Sequence, residues 1–300
     1  MPAFLPLAGL FEPSAIQQLP DGRFLVVEDE KDHPFSLVSI GLDGRVDATP
    51  LLPPLDADDA AWKLDDLEAL ALDGAGWVYA LTSHSRSGGG REKKARDKLV
   101  RFRVVEGRMV QASLVRELKP SLAAAHPVLA QAAEVAEVKE AGGLNIEALE
   151  FSPDGALLVG FRGPLLAGRA LVARVENPAA MFEAGEPPRV SPTLVTLDLD
   201  GCGLRGMAWV PALGGYLLIS GPAERRQVPF RLWFWTGRPE DEARSVRVGE
   251  QQGFAHAEGV TPALIDGQAR IVIVSDDGDR ATGRHAGFLL LDPAGLVMPG

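Results

Sequence analysis

Three glutamates, Glu68, Glu147 and Glu258, stand at equivalent places in an internally repetitive sequence, with Ser14 and Arg205 at the two other equivalent places. If the repeat closes into a ring, these five side chains meet at one mouth of a central channel. Three carboxylates and one guanidinium then leave about two negative charges uncompensated. Confined like charges either raise a carboxyl pKa or recruit a cation. Oxygen donors from Glu68, Glu147, Glu258 and the Asn145 amide suit a divalent metal, Ca2+ before zinc, because no thiolate is at hand. The same glutamates can instead cap the first backbone N–H groups of each blade and pair with Arg205 and Arg162, or serve as acid and base. His84 and His256 fall at the same mouth as candidate general acids or bases, each also readable as an ordinary hydrogen-bonding histidine. Arg162 and Arg205 would hold developing negative charge. Around them the pattern places Asp29, Ser83, Asp276 and Asp277 as ligand-binding candidates. Between Arg86 and Arg103 lie eight basic and two acidic residues. There Lys93 and Lys94 either reach an anionic small molecule or belong to a solvated loop.

The elements that must position these residues are legible as a repeat. SAIQQLPDGRFLVVEDE, EALALDGAGWVYALTSHS, EALEFSPDGALLVGFRGP, RGMAWVPALGGYLLISGP and EGVTPALIDGQARIVIVSDDGD each read as a β-hairpin with a Gly-containing turn. Their starts recur at the period of a propeller blade, with one longer gap between the second and third. A weaker pair of strands follows most hairpins, such as FSLVSI with VDATPLL and FRLWFWT with RSVRVG. Four strands per unit is the blade of a β-propeller. The reading is therefore an all-β single domain over residues 1–300, a five-bladed β-propeller, with six blades as the alternative. The long gap, rich in Ala, Glu and Leu at helical spacing, reads as a helical insertion between blades two and three, about residues 118–143, and as a lid or a docking element for a protein partner. After GFLLLD only PAGLVMPG remains, poor material for a full outer strand. The apolar AFLPLAGL at the N-terminus is thus expected to pair into the fifth blade and close the ring, bringing the termini together.

Composition narrows the classes of function. Of 300 residues, 46% are hydrophobic and 24% charged, enough to bury a sizeable core. The net charge of -11 provides no general attraction to nucleic acid or to an anionic membrane. The basic loop lacks the interleaved aromatics of a nucleic-acid platform. Cys202 is the only cysteine, which excludes an intrachain disulfide and suits a reducing cytoplasm. No GxSxG elbow, P-loop, HExxH or dinucleotide fingerprint is present. The DDGD run from Asp276 lacks the remaining spacing of an EF-hand.

PSAIQQLPDGRFLVVEDE, DLEALALDG followed by LTSHS, NIEALEFSPDGALLVGFRGPL and AEGVTP followed by VSDDGD together resemble an uncharacterised bacterial family, a domain of unknown function, over nearly the whole chain. More remotely, the recurring EGL/EAL start is similar to esterase-like phytase and gluconolactonase-type propellers. That resemblance implies a divalent ion at the channel mouth on Glu68, Asn145, Glu147 and Glu258, and a metal-dependent hydrolase of a phosphoester or lactone. Ser14 and Arg205 depart from the pattern at two of the five ring positions. A propeller fold alone is a weak guide to activity, so a non-catalytic propeller that binds a small ligand or a protein through the same face is the competing reading.

Overall fold

In the computed structural model the described residues are 4–29, 34–54, 62–136, 138, 142–224, 228–249 and 254–298. Strand β1 (Leu5–Pro6) precedes the first complete blade, formed by β2 (Pro13–Gln18), β3 (Phe24–Glu28), β4 (Phe35–Ile40) and β5 (Val46–Pro50). Blade two is β6 (Leu67–Leu72), β7 (Val78–Thr82), β8 (Leu99–Val105) and β9 (Arg108–Val115). Blade three is β10 (Asn145–Phe151), β11 (Leu157–Leu166), β12 (Arg169–Val175) and β13 (Val195–Leu197). Blade four is β14 (Gly203–Val210), β15 (Gly215–Gly221), β16 (Arg231–Trp235) and β17 (Arg244–Val248), and blade five is β18 (Ala257–Ile265), β19 (Gln268–Ser275) and β20 (Gly287–Leu291). The chain is a five-bladed β-propeller.

Blade five lacks an outer strand of its own. The N-terminus supplies it: β1 pairs antiparallel with β20, Leu5 opposite Phe288. Leu7 and Leu10 then bury completely, and their backbones exchange bonds with Ala286 at 2.7 and 2.9 Å. The C-terminal tail does more than its composition suggested. As β21 (Leu296–Val297) it adds a short fifth strand to blade four, and Met298 and Phe4 pack on the same core cluster. Both ends are thereby tied down and two sheet edges are covered.

Apolar residues run without a break along the inner strands, as in FLVVE of β3 and VYALT of β7, so each blade is apolar on both faces and buries them against its neighbours. Five core clusters result, one per blade interface. Leu25, Phe35 and Phe102 fill that between blades one and two, for example, and Met207, Tyr216 and Trp235 that between three and four. The insertion forms two short helices, α1 (Leu118–Ala125) and α2 (Pro127–Ala133). Their Leu118, Leu122 and Leu129 are buried in the cluster between blades two and three, which makes these helices a wedge of the core. A third helix, α3 (Pro178–Glu183), which the sequence did not suggest, brings Met181 into the same cluster. Among the described residues no helix is long and apolar enough to cross a membrane.

The feature that positions the site repeats five times. In every innermost strand the pairing register slips, between Pro13 and Ala15, Leu67 and Ala69, Ile146 and Ala148, Leu204 and Gly206, and Ala257 and Gly259, and β10 slips a second time between Asn145 and Ile146. The residue left over in each β-bulge is Ser14, Glu68, Glu147, Arg205 or Glu258. A bulge re-aims the side chain of its extra residue, and here it turns all five toward the channel axis. The next residue in each strand is Ala or Gly because the inner strands nearly touch: a Cβ on Gly206 would lie 2.3 Å from the Glu258 carbonyl oxygen.

Candidate functional site

The five bulge residues line a constriction with a cavity of about 10 Å³, room for about one water molecule. Arg205 sits at its centre of charge. Its guanidinium pairs with Glu147 (Nη1 to Oε2, 3.0 Å) and grips Glu258 with two nitrogens, Nε donating to Oε2 at 2.9 Å and Nη2 to Oε1. Arg162, itself the extra residue on β11, approaches from the second strand, with Nη1 donating to Glu147 Oε1 at 3.0 Å and Nε to the Pro222 carbonyl at 2.9 Å. Asn145 Nδ2 donates to the same Glu147 oxygen at 2.7 Å. Glu147 is thus held by two guanidiniums and Glu258 by one. Glu68 has no cation within ion-pair distance among the described residues.

Three carboxyl groups against two guanidiniums leave one negative charge in a nearly dry ring, which disfavours ionising all three carboxyls at once. Burial and the charges of Glu147, Asp66 and Glu258 push Glu68 well above the usual carboxyl range, opposed by Arg205. Burial also pushes Glu258 up to about 8 against the pull of Arg205. Burial lowers the affinity of Arg205 for its proton, but Glu147 and Glu258 more than offset this. Sites this close titrate as a unit, so a proton held there belongs to the cluster. Glu68 is the member without a guanidinium partner among the described residues.

This donor set does not suit the expected divalent ion. Calcium takes six to eight oxygens, whereas Glu147 and Glu258 already contact guanidiniums that would repel it. Among the described residues no three or more His, Cys, Asp or Glu side chains are arranged to hold a metal. Among the described ring residues, Asn145 Oδ1 is buried without a hydrogen-bond donor, and Glu147 Oε2 has its ion pair with Arg205 but no hydrogen bond.

Outside the ring the sequence-predicted residues divide. His256, at φ 58°, is exposed beside the Phe230 ring, 5.7 Å between centroids, and its carbonyl accepts from Asp276 N at 2.7 Å. Burial raises Asp276, opposed by Arg205 and His256. These two belong with Arg205 and Glu258 at one side of the mouth. Phe230, 5.7 Å from the Arg205 guanidinium, completes that side and was not singled out from sequence, though it opens the third strand of its blade toward this face.

His84 does not join them. It is fully buried, its Nδ1 lies 2.8 Å from the Thr82 carbonyl, and burial lowers its pKa to about 4, so it is neutral near pH 7. Ser83 is equally buried and donates to Asp66, while its carbonyl accepts from Ile146 N at 2.9 Å and ties blade two to blade three. Asp277 serves its own turn, accepting from Ser275 Oγ at 2.7 Å and Gly287 N at 3.0 Å. Asp29 lies at the rim, raised by burial and by Asp66. The basic loop is ordered against acids: Lys93 pairs with Asp65 at 2.8 Å, and Arg96 with Asp65 at 3.3 Å and Asp66 at 2.8 Å. Against the opposing effect of burial, Lys93 and Arg96 hold Asp65 low. Lys94 is exposed.

A family described as "Protein of unknown function (DUF3616)" matches residues 113–292, more than half of the chain. No curated protein matches the sequence. Among solved structures, similarity is found to the PQQ-bound aldose sugar dehydrogenase of Streptomyces coelicolor, with 15% identity, 96% of each chain covered and a TM-score of 0.47. It is also found to a gluconolactonase of Xanthomonas campestris, with 15% identity, 97% of this chain and 84% of that one covered, and a TM-score of 0.41.

Proposed function

The chain belongs to the family described as protein of unknown function DUF3616, and we propose that it hydrolyses a small lactone or phosphoester at the channel mouth, using the proton of the carboxyl ring and no ring-bound metal. The observation that carries this reading is the count of charges at the bulge ring, where Glu68 is left without a guanidinium beside Glu147 and Glu258. Neighbouring titratable groups whose environments drive them apart are the usual basis of acid and base roles.

The chemistry follows from the side chains at the rim. His256 takes a proton from water as the water oxygen bonds to the carbonyl carbon or phosphorus. Arg162 and Arg205 stabilise the charge growing on the non-bridging oxygen. The bond to the leaving oxygen breaks as Glu68 delivers its proton there, and the proton on His256 returns to solvent and the ring. A small anionic or polyhydroxylated substrate suits the two guanidiniums.

One observation favours a second reading, a non-catalytic ligand-binding propeller: the ring is closed by its ion pairs around room for about one water. A panel of lactones and aryl phosphates, assayed with chelator and with added Ca2+, separates the two. Turnover that survives chelator and falls at least a hundredfold in Glu68→Gln supports the hydrolase. Saturable binding without turnover supports the binding module. Turnover that requires Ca2+ contradicts the metal-free mechanism.

A further inference from the structure

The face opposite the mouth, where the hairpin turns lie, holds a groove of about 710 Å³, within the range of small-molecule sites. The sequence presents this face as plain turn chemistry. From the structure we infer that it carries a second site, for a small primary ammonium on an apolar, aromatic-sized body. Residues of all five blades contribute to the groove, from Gln17 of blade one to Pro262 of blade five, so it forms only when the ring is closed. Its apolar walls include Trp209, half-buried and edge-on to Tyr216 at 5.0 Å, and Phe151, edge-on to Tyr79 at 5.0 Å.

Glu150 lines the groove and is buried. Its Oε1 accepts from Phe151 N at 2.7 Å and its Oε2 from Trp209 N at 2.9 Å. These bonds fix the carboxyl between blades three and four and leave two of its lone-pair positions unused. Two further acids, Asp73 and Asp154, line the groove. Asp154 is matched by Arg174 at 2.5 Å, whereas among the described residues Asp73 accepts from the backbone N–H groups of Ala75 and Trp77, at 2.9 and 2.8 Å, and from no cation. No lysine, arginine or histidine is among the described lining residues. Burial pushes Glu150 up to about 7 even though both N–H groups pull the other way, so the site is short of positive charge.

The complement of a buried carboxylate walled by aromatic faces is a compact cation with an apolar body. An ammonium donates to Glu150 while its carbon skeleton covers Trp209, where cation–π attraction adds to apolar contact. A bare divalent metal finds only one buried carboxylate. A phosphate or carboxylate ligand is repelled.

Calorimetric titration of the whole protein at pH 8 with benzylammonium chloride tests this, with benzoate and benzyl alcohol as matched probes. One saturable site for benzylammonium is expected, with at least tenfold weaker binding of the other two. Affinity falls at least tenfold in Glu150→Gln. If that variant does not fold, Ala179→Phe gives the same reading, because Ala179 is an exposed lining residue of α3 whose enlargement fills the groove without touching the core. Absence of saturable binding, benzyl alcohol binding as tightly as benzylammonium, or unchanged affinity in Ala179→Phe overturns the inference. Loss of binding in Arg205→Met with retention in Ala179→Phe would place the cation at the mouth and overturn it equally.

Discussion

Replacing Arg205 with Met removes the charge that Glu147 and Glu258 share and leaves a side chain of similar length. Glu258 loses its two-point partner, and Glu147 keeps Arg162 at 3.0 Å and the Asn145 amide at 2.7 Å. Removing one partner of a buried ion pair typically costs about 3–5 kcal/mol, because the surviving charge is stranded. Glu258 is the stranded group. At pH 8.5 the full cost is expected. At pH 5 Glu258, pushed up to about 8, is already protonated in the native ring, so the variant loses a hydrogen-bond donor to a neutral group and the cost drops to about 1–2 kcal/mol. For chains above 150 residues each kcal/mol moves the thermal midpoint by about 2–4 °C. The variant should therefore melt at least about 6 °C below the parent at pH 8.5 and only a few degrees below it at pH 5. Adding Glu258→Gln to Arg205→Met should recover about half of the alkaline loss, since the stranded charge is gone. Scanning calorimetry of the parent, Arg205→Met, Glu258→Gln and the double variant at both pH values gives the coupling. Equal stability of parent and variant at pH 8.5, or a larger loss at pH 5 than at pH 8.5, would refute the reasoning.

Other outcomes follow from the same packing. Glu258 is raised above its usual 4.5, and Glu68 likewise, so the folded ring holds a proton that the unfolded chain has released; the stability contributed by the ring should fall as pH climbs from about 4.5 to about 8 and then level, as urea midpoints across that range would record. Gly206→Ala drives a methyl to 2.3 Å from the Glu258 carbonyl oxygen and should lower the thermal midpoint by several degrees, while Gly74→Ala, with nothing within 4 Å, should leave it unchanged. Leu10→Ala empties a fully buried site at the ring closure and should cost about 2–5 kcal/mol in urea unfolding. Chelator should not shift the thermal midpoint, since guanidiniums already occupy Glu147 and Glu258; a drop of several degrees would show that an ion is bound.

Much of the fold was legible because a propeller repeats its instructions. Five hairpin signals gave the blade number, and the shortage of strand residues after GFLLLD gave the closure by Leu5–Pro6. The ring residues were legible for the same reason, being the polar residue before a small one in each repeat. What aims them, a bulge in every inner strand, is a matter of register between strands and leaves no mark in one strand's sequence. Pairing was equally hidden. That Arg205 serves two glutamates while Glu68 has none depends on where neighbouring blades place their side chains across the channel. His84 departs from the expected placement because position along the strand does not reveal which way a side chain turns; its imidazole is fully buried with Nδ1 at the Thr82 carbonyl. Glu150 escaped notice because the bulge after Ile146 shifts the alternation of β10, so counting by twos from Asn145 misassigns its face.

The most direct measurement is a carbon-13 NMR titration of the glutamate side-chain carboxyls, with Glu68, Glu147 and Glu258 assigned through single Gln substitutions. The ring as described here requires at least one of the three to titrate above pH 6, with Glu68 carrying the largest shift, and requires that step to move when Arg162 or Arg205 is replaced. Ordinary titration of all three between about pH 4 and 5 would mean that the mouth holds no proton near neutrality, and the proposed acid–base hydrolysis would have no acid.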